Sequence, residues 1–255
     1  MNFFDKNLKI SGDILARTLQ FAKKKLKIGI KTIELDSLIE KFIYKNNAKP
    51  VFKGYKNYQY ASCISINDIL VHGIPSEYKI SQGDVVSIDI GVKYKNAITD
   101  GAITIAIDPI PEYIIEAIKS TQLALKEGIK QCVAGNQINN ISKAIEKVAR
   151  KNNLGIIKEL SGHGTGKKIH LPPTILNYFK SQNNEIIKEG MILAIEPMFS
   201  ASLDKSDPTI KLMQDKWSVS LPKNNIGIHF EHTILVTKEK PTVLTKLIDT
   251  DKPLW

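Results

Sequence analysis

The sequence contains only two cysteines, Cys63 and Cys132, which are far apart and form no C-x-x-C motif. This spacing indicates neither a disulfide framework nor a structural zinc site, so two buried thiols are expected. No stretch approaches the roughly 18 apolar residues of a membrane span. The first residues, MNFFDKNLKISGD, also lack the continuous apolar core of a secretory signal. We therefore expect a cytoplasmic protein without a membrane partner.

No low-complexity tract or Gly/Ser linker interrupts the 255 residues, and the apolar fraction of 42% is ordinary for a globular protein. We therefore expect one compact unit that covers residues 1–255. The formal net charge is +10, but the lysines are scattered through the chain and form no block with interleaved aromatic residues. This pattern favours a solvated basic surface over a dedicated RNA-binding face.

An internal repeat organises the chain. The segment GIKTIELDSLIEKFIYKNN, from Gly29, aligns without gaps on GNQINNISKAIEKVARKNN, from Gly135. Both copies have apolar residues at helical spacing, which predicts two amphipathic helices. Further helices are expected before each copy, near residues 11–27 and 112–130. The apolar positions are Leu35, Leu38, Ile39 and Phe42 in the first copy and Ile141, Ala144, Ile145 and Val148 in the second.

A second correspondence concerns strands. GDVVSIDI, from Gly83, matches GMILAIEP, from Gly190, and places Asp89 opposite Glu196. Polarity alternates with period two here, as a strand requires, and HFEHTILVT predicts a strand around Glu231 in the same way. We therefore predict an α+β fold with two halves, roughly 11–107 and 112–237. Each half is a helix pair followed by antiparallel strands, and carboxylates meet between the halves at a pseudo-twofold axis.

Asp89 and Asp100 flank a predicted hairpin. With Tyr94 and Lys95 at its tip, the register places the two aspartates directly opposite each other. Like charges in that arrangement need protonation or a cation, particularly when they are buried. An aspartate near a turn can also serve the turn alone, so this pair by itself leaves both interpretations open.

Three further residues extend the set. Glu196 interrupts the apolar run MILAIEPM and Glu231 lies in IHFEHTILVT, where a lone buried glutamate would be costly. His163 lies among glycines in ELSGHGTGKKIHLPP, which favours a site over a core position, and His170 follows seven residues later. Four carboxylates and one imidazole suit two divalent ions about 3.5 to 4 Å apart.

These motifs resemble those of the methionine aminopeptidases, in the pita-bread family that also includes proline-specific aminopeptidases and creatinase. The matching stretches are HGIP at His72, the two-aspartate hairpin, GHGTGKKIH, IEPM at Glu196 and FEHT at Glu231. The resemblance covers nearly the whole chain. It implies a pita-bread fold, a curved antiparallel sheet backed by helices, and a type I enzyme of bacterial style.

The resemblance also implies the roles of the ligands. Asp100 and Glu231 would bridge two divalent ions, which could be cobalt, manganese, iron or zinc. Asp89 would chelate one ion, and His163 with Glu196 would complete the other.

The implied catalytic residues are His72, His170 and Glu196. Glu196 would act as general base for the water, His170 would donate to the scissile carbonyl, and His72 would contact the substrate backbone near the leaving nitrogen. A pocket for the methionine side chain maps onto FKGYKNYQYASC and two later positions. Besides His72 and His170, the implied substrate-binding residues are Phe52, Tyr55, Tyr58, Cys63, Ile169 and Trp217.

The implied reaction is removal of the N-terminal methionine from nascent chains with a small second residue. A monomer and a transient association with ribosomes are further expectations. Gly101 and Ala102 stand where the family commonly has Thr-Ser, and Lys168 interrupts the usual glycine pattern, so the rate and the pocket shape are open. Two alternatives remain. One is a proline-directed peptidase of this fold, and the other is a catalytically inactive module that binds ribosomes or RNA.

Overall fold

The computed structural model describes residues 3–204 and 206–246. The described residues contain four α-helices: α1 (Phe3–Lys25), α2 (Thr32–Lys45), α3 (Glu112–Lys130) and α4 (Ile138–Lys151), with a short 3-10 helix at Tyr55–Asn57. Helix α3 coincides with the predicted 112–130. Helix α1 begins eight residues before the predicted 11–27, because Leu8, together with Phe4, packs in a small cluster with Ala97 and Leu244.

The two repeated segments form the predicted amphipathic helices. Leu35 and Ile39 of α2 and Ile141 and Ile145 of α4 are fully buried. Each of these helices packs against the helix that precedes it, α1 with α2 and α3 with α4. The order of a helix pair followed by strands therefore occurs twice along the chain.

Fifteen strands are present in the described residues, and all of their ladder pairings are antiparallel. The strands are β1 (Lys49–Pro50), β2 (Cys63–Ile66), β3 (Ile69–Val71), β4 (Val85–Tyr94), β5 (Ala97–Ala106), β6 (Gly155–Ile156), β7 (Ser161–Gly164), β8 (Leu171–Leu176), β9 (Ile192–Ile195), β10 (Met198–Ala201), β11 (Lys211–Leu212), β12 (Val219–Ser220), β13 (Ile226–His229), β14 (His232–Leu235) and β15 (Thr242–Val243).

The strands form four small sheets. In the first sheet β4 lies between β1 and β2 and also pairs with β5, and in the largest the order is β15-β14-β9-β7-β8. The other two have the orders β13-β10-β6 and β11-β12-β3. Because β9 runs on into β10 and β13 into β14, the chain passes between two sheets at two neighbouring places.

The core lies between the helices and these sheets. Ile14, Leu15 and Leu19 of α1 belong to the same buried cluster as Ile88 and Ile90 of β4. Successive side chains of a strand point to opposite faces, so Asp89, which lies between Ile88 and Ile90, faces away from the helices. The Asp89 side chain therefore lies on the inner face of the sheet.

Both cysteines are buried free thiols, as expected. Within residues 3–204 and 206–246, none of the helices combines the length and the apolar content needed to cross a bilayer.

Candidate metal centre

The β4–β5 hairpin brings Asp89 and Asp100 to the same inner face, but they are not directly opposite each other. Asp100 pairs with Gly91, so the two aspartates are diagonal neighbours. The predicted register was wrong because the chain turns one residue later, at Lys95 and Asn96, where Lys95 takes a left-handed φ of 53°. Diagonal neighbours remain close enough for their carboxylates to approach one cation.

Glu196 and Glu231 both lie at interruptions between strands. Glu196 follows β9 and precedes β10, while Glu231 follows β13 and directly precedes β14. The continuous strand predicted around Glu231 is therefore two strands in different sheets. The backbone N–H of Glu231 donates to the carbonyl of Ala102 at 3.0 Å, which ties this interruption to the aspartate hairpin. The interruptions release both side chains from the strict alternation of a strand.

His163 lies on β7, and the glycines around it allow close approach of the backbone. A Cβ at Gly162 would lie 2.5 Å from the carbonyl oxygen of Ala194, and a Cβ at Gly164 would lie 2.1 Å from that of Pro172. Distances this short are excluded for any larger residue without a shift of the backbone. The glycine-rich sequence therefore packs the histidine strand tightly between β8 and β9.

These elements bring the predicted ligands together. The Nε2 atom of His163 lies 3.3 Å from Oε1 of Glu196 and 4.0 Å from Oδ2 of Asp100. Asp100, His163 and Glu231 have ligand atoms that all lie within 4.8 Å of one another. Asp89 lines the same cavity, although it falls outside this group.

Burial raises the pKa of all four carboxyl groups. The pKa of Asp100 is raised to about 7 by burial, although the backbone N–H of Gly101 opposes the shift. Burial, with the neighbouring charge of Asp100, holds the pKa values of Asp89, Glu196 and Glu231 well above the ordinary range. Four carboxylates cannot be ionised together here unless positive charge compensates them.

The nearby imidazoles are neutral at pH 7, which is the form that binds metals. Burial lowers the pKa of His163 to about 4, that of His72 to about 4 and that of His229 to about 3. The Nδ1 atom of His163 lies 2.9 Å from the carbonyl oxygen of Gly164. A proton on Nδ1 donates to that carbonyl and leaves the Nε2 lone pair facing the carboxylates.

Unpartnered buried atoms test whether this set fits divalent metal ions. Among the described residues, Oδ1 of Asp89, Oε1 of Glu231 and Nε2 of His229 are buried without a hydrogen-bond partner. Buried polar atoms of this kind are costly unless a partner completes them. Oxygen and imidazole donors around one point suit divalent transition metals, so the residues present fit metal ions.

His72 lies at the edge of the centre in a strained conformation. Its φ is 58°, which is uncommon for a residue with a side chain, and such strain is concentrated at functional sites. The next residue has to be glycine, because a Cβ on Gly73 would lie 2.4 Å from the carbonyl oxygen of Ile64. The HGIP motif therefore turns the imidazole of His72 into the cavity, where it lies among the lining residues.

His170 lies at the mouth of the cavity and contacts two neighbours. Its ring centroid is 4.4 Å from that of His163, and its Nδ1 atom lies 3.2 Å from the hydroxyl of Tyr55. The Tyr55 hydroxyl can donate to Nδ1, in which case Nε2 carries the proton. Burial, with the charge of Lys56 nearby, lowers the pKa of His170.

The cavity beside the carboxylates has a volume of about 570 Å³. Its walls include Tyr58 and Trp217, whose rings meet edge to face with centroids 4.9 Å apart. Cys63 pairs with Asp89 across β2 and β4, so the thiol lies beside the centre. Seven of the eight predicted substrate-binding residues line the cavity: Phe52, Tyr55, Tyr58, Cys63, His72, His170 and Trp217.

Ile169 is the predicted pocket residue that the structure places elsewhere. It is buried, with 6% of its surface exposed, and it is not among the residues that line the cavity. The wall also contains apolar residues that were not predicted from the sequence, including Val71, Leu160 and Met198. His229 was missed as well, although it stands two residues before Glu231 in the same motif.

The fold and this site define a protein with a candidate site for divalent metal ions beside a partly apolar cavity. Comparison with known proteins gives the family: the profile of metallopeptidase family M24 matches residues 6–238. The chain belongs to metallopeptidase family M24. The predicted α+β, pita-bread fold is thereby confirmed.

Several relatives match over nearly their whole length. A methionine aminopeptidase of Borreliella burgdorferi is 38% identical and covers 95% of this chain and 95% of that protein. Methionine aminopeptidase 1 of Bacillus subtilis is 36% identical, with 93% and 94% covered. The crystal structure of a methionine aminopeptidase from Thermotoga maritima superposes with a TM-score of 0.89 at 31% identity, covering 94% of this chain and 96% of that one.

Proposed function

We propose that this protein is an aminopeptidase that removes the N-terminal methionine from proteins and peptides, with a dinuclear metal centre. The observation that carries the proposal is the buried carboxylate and imidazole cluster beside a partly apolar cavity. The similarity to methionine aminopeptidases over nearly the whole chain supports the same reaction.

Asp89, Asp100, His163, Glu196 and Glu231 are the proposed metal ligands. Asp100 and Glu231, which both belong to the cluster around His163, would be shared by the two ions, as in the methionine aminopeptidases that the motifs resemble. When bound, two divalent ions would supply the positive charge that balances the four carboxylates, would acidify a water molecule and would polarise the substrate carbonyl. Iron, manganese, cobalt and zinc all accept oxygen and imidazole donors of this kind.

Glu196 is the proposed general base. It lies at the cavity wall with its side chain 11% exposed, so one carboxylate oxygen can reach a water molecule as well as the centre. It takes a proton from the attacking water and returns that proton to the leaving nitrogen. Without bound metal, burial holds the pKa of Glu196 well above the ordinary range, so Glu196 would act as a base only when the positive charge of the ions keeps it ionised.

His170 and His72 are assigned to the substrate backbone. With the Tyr55 hydroxyl donating to Nδ1 of His170, the Nε2 proton of His170 is available to the developing oxyanion. His72, which also lines the cavity, is assigned to the region of the leaving nitrogen. Neither residue is needed as a metal ligand.

The proposed substrate side chain is methionine. Tyr58 and Trp217 offer an aromatic wall, and Met198 and Val71 add apolar surface to the same cavity. A flexible, polarizable thioether packs well against aromatic and apolar walls of this kind. A preference for a small second residue is part of the proposal.

The cellular setting follows from the substrate. N-terminal methionine first appears on nascent chains, so the proposed place of action is the cytoplasm. A transient association with ribosomes, where these chains emerge, is part of the proposal, and a dispersed net charge of +10 is compatible with it without forming a dedicated RNA-binding face. A monomer is the proposed state, because the centre takes all of its proposed ligands from one chain.

The test is release of free methionine from a Met-Ala-Ser peptide. Enzyme treated with a chelator is compared with the same enzyme resupplied with manganese or cobalt, and a Xaa-Pro peptide serves as the specificity control. Methionine release that depends on added metal is the expected result. Cleavage of the Xaa-Pro peptide alone would replace this proposal with a proline-directed peptidase. No cleavage with any metal would favour a binding module.

A further inference from the structure

A second histidine reaches the centre from β13, the strand that precedes Glu231. The backbone of His229 is fixed on both sides by Thr104: the His229 N–H donates to Oγ1 at 2.9 Å, and the Thr104 hydroxyl donates to the His229 carbonyl at 2.7 Å. Oγ1 of Thr104 also lies 2.8 Å from the hydroxyl of Ser87. These contacts hold the main chain of His229 firmly against the aspartate hairpin.

The imidazole of His229 faces two of the proposed ligands. Its Nε2 atom lies 3.6 Å from Oε2 of Glu196 and 3.9 Å from Oε2 of Glu231. The residue is 2% exposed, and Nε2 is buried without a hydrogen-bond partner among the described residues. Glu196, His229 and Glu231 thus form a second group whose ligand atoms all lie within 4.8 Å of one another.

The separations distinguish a shared cation from a hydrogen bond. N–H···O bonds in proteins are about 2.7 to 3.2 Å long, so 3.6 and 3.9 Å are too long. Two ligands about 2.1 Å from one ion, at angles between 90° and 140°, lie about 3.0 to 3.9 Å apart. The distance from Nε2 of His229 to Glu196 and its distance to Glu231 therefore both fit ligands that share one ion.

We propose that His229 is a sixth protein ligand, which binds one of the two ions through Nε2 together with Glu196 and Glu231. His163 and His229 approach different oxygens of Glu196, Oε1 and Oε2 respectively. The centre would then contain two imidazoles instead of one. The inference rests on the dinuclear centre proposed above.

A neighbouring histidine provides a matched control. His232 lies three residues further along, is equally buried at 2% exposure, and is not among the residues that line the cavity. Its Nδ1 atom lies 2.9 Å from the hydroxyl of Thr245. His232→Gln changes a buried imidazole in the same strand pair at a residue that belongs to neither group of candidate ligands.

The experiment counts coordinated imidazoles directly. Metal-stripped protein is loaded with two equivalents of Co²⁺, and proton NMR records the strongly shifted, exchangeable ring N–H signals, one from each imidazole bound to cobalt. Two such signals are expected for the wild type, one for His229→Gln and two for His232→Gln. Calorimetric titration with Co²⁺ is expected to show at least a tenfold weaker site in His229→Gln only.

One coordinated imidazole in the wild type would overturn the proposal, and this result needs no variant. An unchanged count in His229→Gln would also overturn it, even with weaker cobalt binding, because His229 would then only orient Glu196. Circular dichroism of the metal-free variants checks folding, and His229→Asn is the second variant if His229→Gln does not fold. Failure of the proposed function would be seen in a different measurement: the wild type would still give two N–H signals but would release no methionine.

Discussion

Replacement of Asp100 by asparagine should make the metal-free protein more stable at pH 8, although it removes a proposed ligand. The Asp100 side chain is only 5% exposed, and burial raises its pKa to about 7. An asparagine has nearly the same shape and carries no charge. It can still accept the hydrogen bond that the Gly101 N–H donates to Oδ1 at 3.2 Å.

The magnitude follows from the difference between the folded and unfolded pKa values. Because the folded pKa of about 7 lies above the ordinary value of 3.8, folding favours the protonated carboxyl group. Its contribution to stability is fully present below pH 4 and is lost as the pH rises to 7. A difference of about three in pKa corresponds to about 4 kcal/mol in the free energy of unfolding.

The assay is urea unfolding from pH 4 to pH 8 in the presence of a chelator, with wild type and Asp100→Asn measured side by side. Between pH 4 and pH 8 the free energy of unfolding of the wild type should fall by up to about 4 kcal/mol more than that of the variant. Added Mn²⁺ should raise the free energy of unfolding of the wild type far more than that of the variant. Parallel stability curves for the two metal-free proteins would refute the reasoning, because Asp100 would then ionise in the fold at no cost.

Four further substitutions test other parts of the site. Glu196→Gln should lower kcat by at least about 100-fold while peptide binding persists, which steady-state kinetics and a binding titration would measure; unchanged turnover would contradict its role as base. His170→Ala should lower kcat by about 100-fold or more and change KM much less, and a change confined to KM would argue against oxyanion contact. Gly162→Ala should cost about 1 to 3 kcal/mol in denaturant unfolding, because its Cβ would lie 2.5 Å from the carbonyl oxygen of Ala194; a wild-type midpoint would contradict this packing. Thr233→Val should lower the free energy of unfolding by about 1 to 3 kcal/mol. The Thr233 hydroxyl accepts a hydrogen bond from the Asp100 N–H and donates one to the Asp100 carbonyl, each at 2.8 Å, and valine can make neither. An unchanged free energy of unfolding in Thr233→Val would mean that those groups find other partners.

Much of the fold was predictable because local patterns and tertiary packing agree. The repeat around Gly29 and Gly135 predicted two amphipathic helices, and both form, at Thr32–Lys45 and Ile138–Lys151. The alternation around Asp89 predicted a strand with the carboxylate on the polar face, and the structure places it in β4. In these segments, the buried face and the hydrogen-bond pattern follow from spacing alone.

The remaining details depend on choices that spacing does not specify. The hairpin turns at Lys95 and Asn96 because Lys95 adopts a left-handed φ, and moving the turn by one residue changes the aspartates from opposite to diagonal. The chain interruption at Glu231 is also invisible in a run that alternates like one strand. Asn96 is a residue typical of turns, so its presence could have indicated the correct position of the hairpin turn.

The pocket shows a similar limit. Phe52 and Trp217, which the resemblance implies as substrate-binding residues, both line the cavity although they are 165 positions apart in the sequence. Ile169, which the resemblance also implies, is buried and is not among the lining residues, because its side chain and that of the adjacent His170 point in different directions. His229 was overlooked because a histidine two residues before a glutamate has no meaning until both are seen to converge on one point.

The position of Glu231, near the end of the sequence, determines when during synthesis the proposed metal centre can be completed. The proposed ligands begin at Asp89 and end at Glu231, so the first and the last are 142 positions apart in the sequence. A growing chain that has reached Glu196 still lacks Glu231, one of the two proposed bridging carboxylates, so the proposed centre is complete only after the final strands are made. Each molecule of this protein therefore becomes competent late in its own translation, after most of its helices and strands have already been produced.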